Sequence, residues 1–255
     1  MTQNPNRLET VLSNGYNFQL SQYISKGFNI FGKNAGMFIG YLLVYFAISI
    51  GLSIIPILGQ LASLVISGAL LAGYYIVADK TERGEHVEFS NFFDGFKSLT
   101  PLFIGTLLLI VMAIALMIPF FIIVVFKFGI ESLSGDGSFP DFGILDFIVI
   151  AAVFIGILYI SVSFIYMTLF IVFDKMDAWA AMMASRKIVE KNFILHVLFF
   201  IVWGFIIILS ALPLGLGLLA TIPAFYCSIY AAWADITDFY NEPSEEDDIM
   251  RHLID

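Results

Sequence analysis

The chain has 255 residues, of which 60% are hydrophobic and only 13% charged, with 27 phenylalanines and a formal net charge of −9. A soluble domain carries about 25% charged and ~45–50% apolar residues, and one of this size could not hide so much apolar surface, so a water-soluble fold is excluded. The acidic balance lacks the basic face that nucleic acid demands, and the one cysteine, Cys227, rules out an internal disulfide.

Residues 1–17 are polar, with Arg7 and Glu9, and contain no short apolar core followed by small residues, so no cleavable signal peptide is expected. From residue 18 the chain becomes amphipathic. Leu20, Tyr23, Ile24, Phe28 and Phe31 share one helical face, while Gln19, Gln22, Ser25, Lys26, Asn29 and Lys33 lie mainly on the other. A run of 45 residues, 34–78, then lacks Asp, Glu, Lys and Arg. One membrane crossing needs about 20 apolar residues, so this run predicts two, 36–55 and 60–78, divided at Pro56-Ile-Leu-Gly59-Gln60.

A second amphipathic segment carries Phe89, Phe92, Phe93, Phe96 and Leu99 at helical spacing, with Ser90 as the expected N-cap. Thr100-Pro101 reads as the cap and first-turn proline of the next helix. The charge-free runs 98–126 and 147–173 predict one crossing each, 101–126 and 147–172. A third amphipathic segment sets Trp179, Met182, Met183 and Val189 against Arg186, Lys187 and Glu190. The last charge-free run, 192–234, predicts crossings at 194–212 and 216–234, divided at Pro213-Leu-Gly215-Leu-Gly217. Pro119 and Pro223 fall inside predicted helices and are expected to kink them. Residues 239–255 form an acidic tail around Glu242-Pro-Ser-Glu245-Glu-Asp-Asp248.

The predicted fold is therefore all-α: a polytopic membrane bundle of six transmembrane helices in three hairpins, with interfacial amphipathic helices. Backbone groups in lipid must be satisfied within the segment, which leaves helices or a closed barrel. The ~10-residue alternation of a barrel strand is not present. The connecting segments divide into two sides. One holds Arg7, Lys26, Lys33, Lys80, Arg83, Lys97, Lys175, Arg186, Lys187, Lys191 and Arg251, and the other only Lys127. Basic residues mark the cytoplasmic side, so both termini are expected there.

The three hairpins read as units of one pattern, about 18–80, 89–175 and 178–238. Each starts and ends on the same side, as parallel repeats do. Their returning helices close on Ala78-Asp79, Phe173-Asp174 and Ala234-Asp235. Units one and three share Lys33-Asn34 with Lys191-Asn192, and a tyrosine at one offset before the closing aspartate, Tyr74 and Tyr230. Asp79, Asp174, Asp235, Lys33, Asn34, Lys191 and Asn192 are thus the candidate residues of a cytoplasmic mouth. The carboxylates are either polar stops at the interface or a ring around that mouth.

Little else carries chemistry. His86, His196 and His252 lie in different segments without metal-ligand spacing. His196, at the start of the fifth crossing, reads as a capping or snorkelling residue. The loop Ser134-Gly-Asp136-Gly-Ser138 lacks the alternating ligands of a calcium loop and reads as a flexible turn. No catalytic motif stands out, and no charge falls well inside a predicted crossing, unlike ion-coupled transporters. Catalytic residues, metals and cofactors are not expected.

Gly68-Ala-Leu-Leu-Ala-Gly73-Tyr-Tyr, Glu88-Phe-Ser-Asn-Phe-Phe-Asp-Gly-Phe96, Ala184-Ser-Arg-Lys-Ile-Val-Glu-Lys-Asn192 and Gly215-Leu-Gly-Leu-Leu-Ala-Thr-Ile-Pro223 carry a resemblance. Over about residues 20–238 the chain resembles the uncharacterised bacterial six-helix family described as YciC-like, and it is similar to the membrane domain attached to some glycerophosphodiester phosphodiesterases. The resemblance implies a bacterial cytoplasmic membrane and no assigned activity. No segment here could hold the phosphodiesterase catalytic domain. The carotenoid-oxygenase name borne by some similar sequences implies a propeller with four iron-binding histidines, which three histidines cannot supply. The expected function is a non-enzymatic scaffold, assembly or envelope-maintenance factor, with the lipid bilayer and other membrane proteins as partners and no nucleic acid. The alternative is a passive pathway or binder for a lipid or neutral solute.

Overall fold

The computed structural model describes residues 6–134 and 142–240, with side chains for 8–129 and 142–240. The loop around Asp136 and residues 241–255 of the acidic tail lie outside the described residues. Within them every regular element is helical. The order is α1 (Asn6–Asn14), α2 (Leu20–Lys33), α3 (Ala35–Ser53), α4 (Leu58–Glu82), a 3-10 helix (Phe89–Ser98), α5 (Leu99–Ser134), α6 (Ile144–Ser163), α7 (Met167–Phe173), α8 (Ala178–Lys191), α9 (Phe193–Ala211) and α10 (Leu218–Ile236).

Among the described residues, five helical stretches are long and apolar enough to cross a membrane: α3, α4, the run from the 3-10 helix into α5, α6 with α7, and α9. This is the make-up of a multi-pass membrane protein. The sixth expected crossing, α10, has the length but is not among them. Its apolar run is diluted by Thr221, Tyr226, Ser228, Tyr230 and Asp235, and most of its surface is covered by protein. A helix wrapped by α2, α3, α4 and α9 meets side chains rather than lipid, so it can carry polar groups that a lipid-facing helix cannot.

Helices α3 and α4 pair through the turn around Pro56, α5 with α6, and α9 with α10 through the turn around Pro213. Ile57 (φ 63°) and Leu214 (φ 54°) take positive φ in the two tight turns. We call this the turn end and the opposite one the charged end. Helix α4 stops one turn beyond Asp79, where Gly84 (φ 68°) lets Glu85 N–H return to the Lys80 carbonyl (2.9 Å). Helix α10 ends likewise, with Asp238 (φ 51°) and a 2.8 Å bond from Phe239 N–H to the Ala234 carbonyl.

The amphipathic helices tie the hairpins together in a cycle. The helix of unit one, α2, packs on α10 of unit three. The 3-10 helix of unit two packs on α4 of unit one, and α8 of unit three packs on α6 and α7 of unit two. Small residues set two of these contacts. A Cβ on Gly27 would lie 2.7 Å from the Ser228 nitrogen and 2.8 Å from the Ala224 carbonyl oxygen, and one on Gly95 would run into the Ala69 carbonyl. Backbones this close admit only glycine.

Docking shifts the buried faces from those the periodicity predicts. In α2 the buried residues are Tyr23, Gly27, Ile30 and Phe31, while Phe28 is 38% exposed. In the second segment a 3-10 helix replaces the expected α-helix, and its eclipsed i, i+3 positions bury Phe92 and Gly95. Its cap is Glu88, whose N–H donates to Asn91 Oδ1 (2.9 Å), not Ser90. In α8 the buried face is Ala181, Met182, Ser185, Ile188 and Val189, and Trp179 points outward. The polar N-terminal segment also contributes: α1 lies on α8 and buries Val11.

The core sits toward the charged end. The large side chains with almost no exposure include Phe38, Tyr41, Phe92, Phe170, Trp203 and Trp233. At the turn end the hairpins present Ile54, Leu58, Ile144 and Leu214 outward, at 70% exposure or more.

Candidate functional site

Two asparagines build the charged end in the same way. Asn34 joins α2 to α3 and Asn192 joins α8 to α9, with φ −135°, ψ 36° and φ −136°, ψ 42°. Each backbone N–H donates three residues back, to Phe31 or Val189, and each carbonyl accepts from the opening turn of the next helix. The side chains then reach apart. Asn34 Nδ2 donates to Thr81 Oγ1 (2.9 Å), and Asn192 Nδ2 donates to the Tyr16 carbonyl (3.0 Å).

Asp79 and Asp235 are each taken up by a tyrosine from another helix. Tyr230 of α10 donates its hydroxyl to Asp79 Oδ1 (2.7 Å), and Arg83 Nε donates to the same oxygen (3.0 Å). The Tyr240 hydroxyl meets that of Tyr230, and the Arg83 guanidinium lies 5.3 Å from the ring centres of Phe239 and Tyr240. Tyr23 of α2 donates to Asp235 Oδ2 (2.6 Å), which closes the cycle between the first and last units. Burial, then this bond to a carboxylate, holds the Tyr23 phenol well above the usual tyrosine range. Asp174 ends α7, its N–H donating to the Phe170 carbonyl (3.1 Å). Lys33 pairs with Glu82 (3.6 Å), which also binds Lys26 (3.1 Å), and Lys191 is exposed at the end of α8. The structure therefore ties Asp79 and Asp235 into separate interhelical bonds and sets Lys33 beside Glu82.

Aromatic rings of α7, α10 and the segment after α10 pack together at this end. Trp233 lies 5.8 Å from Phe170 and 5.3 Å from Phe173, centre to centre, and Phe239 packs on the same indole at 4.7 Å.

A third junction has no counterpart in the predicted elements. The expected crossing 147–172 is broken at 164–166, between α6 and α7. Ser185 of α8 enters the break. Its hydroxyl accepts from Tyr166 N–H (3.1 Å) and donates to the Ser163 carbonyl (2.8 Å), so one side chain serves both freed backbone groups. An inserted side chain is a recognised cause of a broken helix, and irregular backbone at membrane depth survives only where protein covers it. Ser163, Tyr166 and Ser185 are all buried.

Beside the break, Tyr166 and His196 form a buried pair. The Asn192 carbonyl can only accept, so His196 Nδ1 carries the ring proton toward it (3.0 Å). A neutral ring then receives the Tyr166 hydroxyl at Nε2 (3.1 Å). Phe18 packs on the imidazole at 4.4 Å, and Tyr16 donates to the Ile188 carbonyl (2.9 Å). His196 is thus a core residue rather than a snorkelling one. Ser185 and Tyr166 escape sequence reasoning, although Ser185 stands at the same offset before Asn192 as Gly27 before Asn34. Among the described residues no cluster of three His, Cys, Asp or Glu side chains is arranged to hold a metal.

No family model, curated protein or solved structure matches the chain.

Proposed function

We propose that the chain is a six-crossing protein of a bacterial cytoplasmic membrane, related to the YciC-like proteins. Both termini lie in the cytoplasm, and the protein acts as a non-enzymatic scaffold or assembly factor. The observation that carries this reading is the cyclic docking of α2, the 3-10 helix and α8 on the returning helices, which makes a densely packed base at one end. That base holds nine of the basic residues, from Lys26 to Lys191, while Lys127 stands at the far end paired with Asp146 at 3.0 Å. The distribution supports a cytoplasmic base. Phe28, Phe89, Phe96 and Trp179 are exposed on the docked helices, as aromatic side chains at a membrane surface are. The interfacial helices and the acidic tail are the proposed contact surfaces for other membrane proteins. A pathway through the base has less support, because Phe170, Phe173, Trp233 and Phe239 pack ring on ring there.

Reporter fusions after residue 57, after residue 214 and at the C-terminus test the topology. The two turn fusions are expected to report the periplasm and the last the cytoplasm. Co-purification of partners with Lys187→Glu/Lys191→Glu protein and with tail-deleted protein tests the scaffold. A partner set unchanged in both rules out these surfaces.

A further inference from the structure

Among the groups that remain unpaired, one faces a pocket. The Tyr74 hydroxyl has no hydrogen-bond partner among the described residues, and the side chain is only 2% exposed. It lines a pocket of about 190 Å³ between α3 and α4 of unit one and α10 of unit three. Tyr45 and Tyr226 also line it, and the remaining wall is apolar, with Leu42, Leu71 and Ile222. Tyr226 stacks on Tyr74 at 4.9 Å. The sequence pattern equates Tyr74 with Tyr230, yet Tyr230 spends its hydroxyl on Asp79 while Tyr74 lines the pocket.

Leu42 and Tyr45 stand two to three turns into α3. At 1.5 Å per residue the pocket lies about 12–16 Å from the charged end, near the middle of a ~30 Å hydrocarbon layer. A buried phenol there requires an acceptor, because lipid tails supply none and an unmet polar group is costly. Phospholipid phosphates and ester groups lie at the membrane surface, above this level. Aromatic walls favour a flat partner, since rings pack on rings in offset or edge-on contacts. The volume suits a single ring with its oxygens.

The geometry points to a binding site for a neutral lipid whose small ring head group carries a carbonyl oxygen, with Tyr74 as its hydrogen-bond donor. The depth of this pocket in the bilayer rests on the proposed membrane placement. Binding in micelles and partner co-purification fail independently, so the two proposals are separable.

The test uses the full chain in detergent micelles, with 2-decyl-1,4-benzoquinone as probe and decylbenzene as the matched compound without acceptors. Equilibrium gel filtration is expected to show the quinone bound at least about tenfold tighter than decylbenzene, the scale of one hydrogen bond. Tyr74→Phe is expected to abolish that preference without lowering the thermal midpoint of the ligand-free protein. Ile222→Phe, which fills the pocket from α10, is expected to lose the same preference. The proposal is overturned if the wild type shows no preference, if the preference survives in Tyr74→Phe, or if dioctanoylglycerol binds more tightly than the quinone. A lower ligand-free midpoint in Tyr74→Phe also overturns it, because the fold itself would then be using the hydroxyl.

Discussion

Replacing Ser185 with alanine removes a single oxygen, and the consequence follows from what that oxygen holds. It accepts from Tyr166 N–H at 3.1 Å and donates to the Ser163 carbonyl at 2.8 Å. Both residues are essentially unexposed, so water cannot replace it. Each buried backbone group left without a partner costs about 1–3 kcal/mol. The variant is therefore expected to lose about 2–5 kcal/mol, toward the lower figure if residues 164–166 can wind into a regular turn. Reversible unfolding in mixed dodecyl sulfate and maltoside micelles, followed by tryptophan fluorescence, measures the loss. Ser161→Ala, at an exposed position on α6 just before the break, is the control and is expected to change stability by less than about 0.5 kcal/mol. A Ser185→Ala loss no larger than that of the control would refute the reasoning, since the break would then stand without the serine.

Gly27→Ala drives a methyl group into the backbone of Ala224 and Ser228 and is expected to cost about 1–3 kcal/mol or more in the same unfolding assay. Gly32→Ala, on the same helix with nothing within 4 Å of the added carbon, is expected to be neutral or stabilising by up to about 1 kcal/mol. The Tyr23 phenol is held protonated above its usual range by burial and Asp235, so the folded state keeps a proton that the unfolded state gives up. Stability from this group is full below the unfolded value of about 10 and falls as pH rises beyond it. Between pH 9 and 11 the unfolding midpoint of Tyr23→Phe is expected to fall less than that of the wild type.

Much of the helical plan is legible because lipid-facing helices must be apolar for their whole length. The charge-free runs place α3, α4 and α9 to within a few residues, the start of α5, and α6 together with α7 as one stretch. The turns at Pro56 and Pro213 are legible because proline and glycine mark them. The break at 164–166 is not, since Ser163-Phe-Ile-Tyr166 contains neither and the agent is a serine on the next amphipathic helix. Helix α10 illustrates the opposite case. Its run lacks Asp, Glu, Lys and Arg up to Asp235, but its tyrosines and serines belong to protein contacts that only the assembled bundle reveals. The charged end was legible as a collection of residues and not as an arrangement. Pairing Tyr23 with Asp235 and Tyr230 with Asp79 depends on which hairpin docks on which, and no local periodicity carries that. Asn34 and Asn192 lie between the two cases: the shared Lys-Asn pair was visible, while their common backbone geometry was not.

The first unit closes on the last through α2 and α10, and a double-mutant cycle on Tyr23 and Asp235 tests this closure most directly. Tyr23→Phe and Asp235→Asn, separately and together, are unfolded in mixed micelles at neutral pH. A 2.6 Å bond between a phenol and a carboxylate predicts a favourable coupling of about 1–2 kcal/mol. A coupling within about 0.3 kcal/mol of zero, the additivity of sites that do not touch, would contradict the closed cycle.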